Sequence, residues 1–168
     1  MEFDNPLIGF ESLKLGKHDY SFLVDTTFFK ELEYSEIQEG NVIVDGVLTQ
    51  SERLIELDLN FEGEVLIPCD RCGEYYSQNI SFVEYVVIKF GAEQDEDEGI
   101  IVIKRGETEF DISHYLYESI VLSLPTLRVH PEIKGEPRCD QALMAKINNG
   151  GKNDDDIDPR WAALKDLK

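Results

Sequence analysis

Apolar and polar residues alternate through the middle of the chain, and this pattern predicts β-structure. Between positions 41 and 90, apolar residues recur at every second place in several runs, as at 57–61, where polar residues separate two leucines and a phenylalanine. Alternation is typical of half-buried strands, because successive side chains of a strand point to opposite faces. We expect four or five strands here, with Gly63 turning the chain between two of them. Short connections between such strands favour an antiparallel meander.

The flanking segments predict helices and further short strands. Residues 20–24 alternate as a strand, and the segment Asp25-Thr26-Thr27 then offers an N-cap to a short helix over 28–33. A second helix should begin at the cap residue Asp111 and end before Pro125, because apolar residues recur at every fourth position between them. These recurring residues are Ile112, Leu116, Ile120 and Leu124. The predicted fold is α+β, with an antiparallel β-meander sheet or a partly open barrel and two or three short helices.

The composition changes after residue 127, where Gly, Pro, Asn and Asp become frequent. Such a segment buries too little apolar surface to order itself. The last residues differ, because Asp158 and Pro159 are typical of a helix start and three apolar residues follow at spacings of three. We therefore expect residues 1–140 to form a single α+β domain and residues 141–168 to form a flexible acidic tether that ends in a short amphipathic helix. The predicted partner-binding residues of this helix are Arg160, Trp161, Leu164 and Leu167.

The net charge of the chain indicates which kinds of molecule it can bind. The 168 residues include 35 acids and 16 Lys or Arg, so the formal net charge is −19. This charge repels phosphate backbones, which disfavours nonspecific nucleic-acid binding, and it attracts strongly basic partners. The run of acids at 93–98 should form a mobile loop.

The apolar runs and the cysteines of the sequence indicate the cellular compartment. The sequence has no apolar run long enough to span a membrane and no signal-peptide pattern at its start. An odd number of cysteines, three, suits a reducing compartment better than a disulfide framework. We therefore expect a cytoplasmic protein without a membrane partner.

The chemistry of the chain centres on a cysteine pair. Cys69 and Cys72 are two residues apart, and Gly73 follows, as happens where the backbone turns so that two thiolates face one centre. A tetrahedral metal site needs two more ligands. The downstream candidates are Cys139 and His130. Zinc is the metal that this donor set would take.

Three interpretations of the pair stay open. A structural metal site is the first, and thiol redox chemistry is the second. The redox interpretation requires a helix after the pair, whereas the residues after Cys72 favour a strand. In the third interpretation, the two cysteines are reduced and merely line a hairpin connection. Between positions 41 and 90 we find no Gly-rich phosphate loop, Ser-His-Asp order or paired-carboxylate cleft. His114 lies two positions past Ile112 of the apolar stripe, and we expect it to have a surface or packing role.

The motifs together resemble the YceD family, which is named for large-subunit ribosomal RNA accumulation. The resemblance rests on Cys69-Asp70-Arg71-Cys72 after a Val- and Leu-rich strand, on Lys134-Gly135 followed by Pro137 and Cys139, and on the terminal Asp158-Pro159-Arg160-Trp161-Ala162-Ala163-Leu164. It also includes the helix that ends at Leu124-Pro125, and it covers about residues 20–168. Many relatives carry a second cysteine cluster. Here only Cys139 of that cluster is present, because Ile133, Glu136 and Asp140 stand at its other positions, and His130 becomes the substitute ligand. We accordingly expect less than full zinc occupancy.

The resemblance implies a non-enzymatic role in making or maturing the large ribosomal subunit. The acidic composition suits contact with a basic ribosomal protein better than contact with bare RNA. Two alternatives remain: a metal-structured interaction adaptor in another pathway, and a divalent-metal hydrolase or nuclease, which no motif supports.

Overall fold

The computed structural model describes residues 6–9, 13–32, 34–52, 54–91, 100–104, 106–131, 139 and 143–146. The strands are β1 (Leu7–Gly9), β2 (Gly16–Asp25), β3 (Glu39–Gln50), β4 (Ile55–Pro68), β5 (Tyr75–Gly91), β6 (Ile100–Lys104) and β7 (Glu109–Asp111). The helices are α1 (Thr26–Glu31) and α2 (Ser113–Ser123), and residues 143–146 form one further helical turn. The fold is therefore α+β, as predicted.

The chain divides into two compact units. The first comprises Met1–Ile67 and Tyr75–Thr126, and the second comprises Pro68–Glu74 and Leu127–Lys168. The first unit holds the sheets and both named helices. The expected division into a domain over 1–140 and a tether over 141–168 stays a prediction, and residues 158–167 and 93–98 lie outside the described residues.

Five strands form the main sheet in the order β2-β3-β4-β5-β6. The pairs β2–β3 and β3–β4 are antiparallel, so that Val44 lies opposite both Phe22 and Phe61 in the core. Between β4 and β5, Glu56 accepts a hydrogen bond from Tyr85 and Glu64 accepts one from Ser77, so these strands also run in opposite directions. The predicted meander is confirmed for these four strands. Within the described ranges the sheet is open, with β2 and β6 as its edges.

The last strand of the sheet, β6, departs from the antiparallel pattern. β6 is parallel to β5, with Val87 opposite Ile100. Alternation along a strand does not encode its direction, which depends on the path of the connecting chain. Those connecting residues, 92–99, lie outside the described part. β1 and β7 pair antiparallel in a separate two-stranded sheet.

Gly63 does not turn the chain, contrary to the prediction. It lies inside β4 with φ +156° and is opposite Val42 on β3. A Cβ atom at this position would lie 2.1 Å from the carbonyl oxygen of Asn41. Glycine is therefore required here because the backbone of β3 approaches closely. A glycine inside a strand often marks such a close approach and not a turn.

The two helices close the core of the first unit. The predicted cap segment 25–27 supplies the N-cap of α1 through Asp25, which accepts hydrogen bonds from the N–H groups of Thr27 and Phe28, although the helix is shifted to Thr26–Glu31. Asp111 accepts a hydrogen bond from the Ser113 N–H, but the N-cap position of α2 is occupied by Ile112. The predicted apolar stripe is buried at Ile112, Leu116 and Ile120. Within the described ranges, no helix combines the length and the apolar character that crossing a bilayer requires.

Candidate metal centre

The cysteine pair lies on a tight turn in the second unit. The N–H of Cys69 donates to the carbonyl of Glu74 at 2.9 Å, and the N–H of Gly73 donates to the carbonyl of Cys69 at 2.8 Å. Gly73 has φ +75°, a conformation that costs glycine little and other residues more. These bonds fold the Cys-x-x-Cys segment so that both sulfurs can face one centre.

Asp70 connects this turn to the segment that carries His130. Its backbone N–H donates to the carbonyl of Arg128 at 2.7 Å, and its carboxylate accepts from the N–H of Arg128 at 2.7 Å. The pair of bonds places residues 128–130 alongside the turn. The sequence interpretation missed this role of Asp70, because a single sequence does not show which distant backbone a carboxylate will meet.

All four predicted ligands come together. One donor atom from each of Cys69, Cys72, His130 and Cys139 lies within 4.8 Å of every other. The Sγ atoms of Cys69 and Cys139 are 3.6 Å apart, and Nδ1 of His130 is 3.6 Å from Sγ of Cys72 and 3.4 Å from Sγ of Cys139. Cys69 is buried and the other three are half-buried.

These distances match the edges of a zinc tetrahedron. Zinc bonds of about 2.3 Å to sulfur and about 2.0–2.1 Å to nitrogen give tetrahedral edges of about 3.8 Å between two sulfurs and about 3.6 Å between sulfur and nitrogen. Three cysteines and one histidine are also a known donor set of closed structural zinc sites. The residues present therefore fit zinc, and they would hold it through three thiolates and Nδ1 of His130. Bound zinc would act as a structural clamp between the turn and the chain segments that carry His130 and Cys139.

Electrostatics distinguish two of the three thiols. Burial raises the pKa of Cys69, but hydrogen bonds from the backbone of Arg71, Cys72 and His130 and from the side chain of Cys139 outweigh it and lower the pKa to about 6. For Cys139, burial raises the pKa, and its hydrogen bonds with Cys69 and Cys72 and the charges of those two residues raise it further, to about 11. The opposite directions of these two pKa shifts favour Cys69 as the thiolate and Cys139 as the protonated partner in their contact.

The surroundings of the pair bear on the other two interpretations. No disulfide joins any of the three cysteines, all of which are among the described residues. After Cys72 the chain enters strand β5 at Tyr75, so the pair lacks the helix N-terminus that lowers the thiol pKa in redox motifs of this spacing. The convergence of four metal-type donors goes beyond what reduced cysteines lining a connection require.

His114, the other histidine considered, lies on α2 in the first unit. Its Nδ1 is 2.9 Å from the hydroxyl of Tyr34, and its Nε2 is 2.9 Å from the carboxylate of Glu118. The imidazole and the carboxylate are both more than half exposed, and the ring of Tyr34 packs edge-on against Tyr117. In this cluster His114 has a surface or packing role, as the sequence favoured.

A comparison with family models identifies the family of this chain. The model described as large ribosomal RNA subunit accumulation protein YceD matches residues 57–168. The chain belongs to the YceD family. The sequence motifs predicted a resemblance from about residue 20, whereas the match begins inside β4. It includes every candidate ligand of the metal centre. Searches of curated proteins and of solved structures found no match.

The name of the YceD family refers to accumulation of large-subunit ribosomal RNA, and it describes an accumulation factor rather than a catalyst. Membership therefore connects this chain with the large ribosomal subunit. The terminal residues Arg160, Trp161, Leu164 and Leu167 fall inside the matched range but outside the described residues, so their role in partner binding stays a prediction.

Proposed function

We propose that this protein is a non-enzymatic ribosome-biogenesis factor of the cytoplasm that supports accumulation of large-subunit ribosomal RNA through protein partners. The family match over residues 57–168 carries this proposal. The partner is most readily a basic ribosomal protein, because a chain of net charge −19 attracts cations and repels RNA phosphates. Direct nonspecific nucleic-acid binding has no part in this function.

Zinc has a structural part in the proposal. Cys69, Cys72, His130 and Cys139 would hold one ion that keeps the second unit folded. Because ligands from distant parts of the chain meet at one ion, its binding free energy is also folding free energy. The clamp supplies a fixed surface for a partner and performs no chemistry on a substrate.

The deciding experiment measures ribosomal RNA in cells that lack this protein. We expect the ratio of large-subunit to small-subunit RNA to fall on its removal and to recover when the wild-type chain is returned. A double variant, Cys69→Ser with Cys72→Ser, should fail to restore the ratio, whereas His114→Ala, a change at an exposed histidine of the first unit, should restore it. An unchanged ratio in the cells that lack the protein would contradict the proposal.

A second function has one specific observation in its favour. The cluster of three cysteines and one histidine fits a metal-structured adaptor of any pathway equally well. Affinity purification from the protein's own cells, at low and at moderate salt, separates the two functions. Recovery of large-subunit proteins supports the biogenesis factor, and recovery of a different assembly, with normal ribosomal RNA, supports the adaptor.

A further inference from the structure

One face of the main sheet in the first unit has no helix on it among the described residues. We call this the outer face; it consists of the odd-numbered positions of β2, β3 and β5 and the even-numbered positions of β4. Both named helices lie on the opposite face. A Cβ atom on Gly40 would lie 2.5 Å from the ring of Phe29 on α1, and Ser119 of α2 donates a hydrogen bond to Glu84. Gly40 and Glu84 both belong to that opposite set of positions.

A depression of about 530 Å³ lies at the centre of the outer face. Val47 lines it and is paired with Asp19 on β2 and with Asp58 on β4. Asp45, two residues before Val47, and Val83 on β5 also line it. Val83 is 74% exposed, and the three aspartates are exposed. Apolar surface therefore lies between three carboxylates.

This arrangement suits the side chain of arginine or lysine. The apolar stem of such a side chain can lie along Val47 and Val83 while its charged end reaches a carboxylate. Asp45 accepts a hydrogen bond from Ser21, and within the described part of the chain no ion pair involves Asp19 or Asp58. A cation would accordingly enter a site whose negative charge the described residues leave unneutralised.

Charge also decides which molecule can cover this face. A second copy of the chain would bring another net charge of −19 to it. The chain's own segments at 93–98 and 154–158 are rich in acids, and RNA presents phosphates. Each of these occupants is repelled by the carboxylates, whereas a basic polypeptide is attracted.

We propose that the outer face is the docking surface for a basic polypeptide segment, which places an arginine or lysine side chain in the depression formed by Asp19, Asp45, Val47, Asp58 and Val83. The inference rests on the proposed function in that the partner is a basic protein. It adds the surface and the contact that recognise this partner.

The test uses the full chain and a defined probe. The probe is a fluorescent 12-residue peptide of alternating arginine and leucine, and its control replaces each arginine with neutral citrulline. The site variant combines Asp19→Asn, Asp45→Asn and Asp58→Asn. The matched variant combines Glu31→Gln, Glu107→Gln and Glu109→Gln, all exposed positions away from the outer face, so that both variants change the net charge equally.

We expect that only substitutions within the depression weaken binding of the peptide. The site variant should bind the arginine peptide about tenfold more weakly than wild type, and the matched variant should bind it within about twofold of wild type, because net charge acts at long range and the contact does not. Val83→Lys, which places a cation in the depression at an exposed position, should weaken binding as well. Its control, Leu122→Lys on the 82% exposed Leu122 of α2, should not. Backbone amide resonances of the outer face should move on titration with the peptide.

Several results would overturn the inference. These are equal weakening in the two triple variants, equal binding of the citrulline peptide, resonance changes away from the outer face, and binding of a single-stranded RNA of the same length in the depression. Dimerisation through this face, or its occupation by residues 147–168, would equally contradict it. In cells, a site variant that restores the ribosomal RNA ratio as well as wild type would reject this docking surface and leave the proposed function standing. A normal ratio without the protein would reject the proposed function and leave the peptide result intact.

Discussion

The sulfur of Cys69 lies 3.6 Å from the sulfur of Cys139, although the two residues are 70 positions apart in the chain. This distance is far beyond the ~2.05 Å of a disulfide and close to the edge of a zinc tetrahedron. With Cys72 and His130 completing the group, the relationship supports a metal that joins two distant segments.

The first prediction concerns zinc content. The missing cysteines of the family cluster predicted less than full zinc occupancy, but because all four donors meet at one place we now expect about one zinc ion per chain in purified protein. A chelator should lower Tm by about 10 °C, because a tightly bound ion stabilises only the folded state. His130→Ala should lose the zinc, and His114→Ala should keep it. Elemental analysis and thermal unfolding measure both effects. Metal-free protein whose Tm ignores the chelator would contradict the prediction, as would full zinc content in His130→Ala.

The second prediction concerns the pH dependence of zinc binding. Between pH 7 and pH 8, Cys69, with a pKa of about 6, is already a thiolate, whereas Cys139, with a pKa of about 11, must lose its proton to bind metal. The apparent zinc affinity should therefore rise by at least ~10-fold over this unit of pH. Competition with a chelator of known affinity measures it. In Cys139→His, no thiol proton is displaced at this position. The factor by which the apparent zinc affinity rises between pH 7 and pH 8 should therefore be about tenfold smaller than in wild type. An affinity independent of pH would refute the assigned protonation states.

The third prediction concerns Gly63. Gly63→Ala should destabilise the protein by about 3 kcal/mol or more, because the new Cβ meets the carbonyl oxygen of Asn41 and the φ of +156° is strained for alanine. Gly9→Ala is the matched control, since a Cβ there meets nothing within 4 Å, and it should change stability by less than ~0.5 kcal/mol. Denaturant unfolding compares the two. Equal stability of both variants would show that β3 and β4 separate easily at this point.

The fourth prediction concerns Tyr115 on α2. The pKa of Tyr115 is raised to about 12, first by burial and then by the charge of Glu84 and its hydrogen bond with Tyr115; a hydrogen bond with Ser119 lowers it, and the charge of Glu118 raises it slightly. Because the folded pKa exceeds the ordinary value of 10.0, the contribution of Tyr115 to stability is present below pH 10 and is lost as the pH rises toward 12.

Absorbance titration tests this assignment. The wild-type chain should show a phenol that ionises near the pKa of about 12, and Tyr115→Phe should remove it. Glu84→Gln should lower that midpoint more than Glu118→Gln does, since Glu118 acts only through its more weakly contributing charge. If the absorbance lost in Tyr115→Phe belongs to a phenol that ionises near pH 10 instead of near pH 12, the assignment is disproved.

The fifth prediction concerns the terminal helix expected at 158–167. If it is a recognition segment, Trp161→Ala should change stability by less than ~0.5 kcal/mol and should abolish co-purification of ribosomal components. Asp166→Ala, on the opposite side of the same helix, should retain them. A loss of ~3 kcal/mol in Trp161→Ala would instead show that the helix packs on its own domain. A truncation after Gly151 that kept its melting temperature and its partners would contradict both outcomes.

Local pattern determined most of the fold. Alternation identified the strands of the meander, and the four-residue spacing identified α2, because side-chain period and burial are properties of a strand or a helix by itself. Gly63 shows the limit of this reasoning. Its sequence context is equally compatible with a turn and with a close backbone approach, and only the neighbouring strand distinguishes them.

The candidate ligands were likewise chosen by residue type, since few side chains can bind zinc and this chain has three cysteines and three histidines. Their meeting was decided by tertiary structure. The two hydrogen bonds between Asp70 and Arg128 join segments that are 58 positions apart, and no local propensity encodes such a pairing. Tertiary structure also decided strand direction. β6 is parallel to β5, and alternation of apolar and polar residues does not predict the path of the chain that makes it so. The sequence by itself determined which elements form and which atoms can bind a metal; long-range packing alone decided which of them lie side by side.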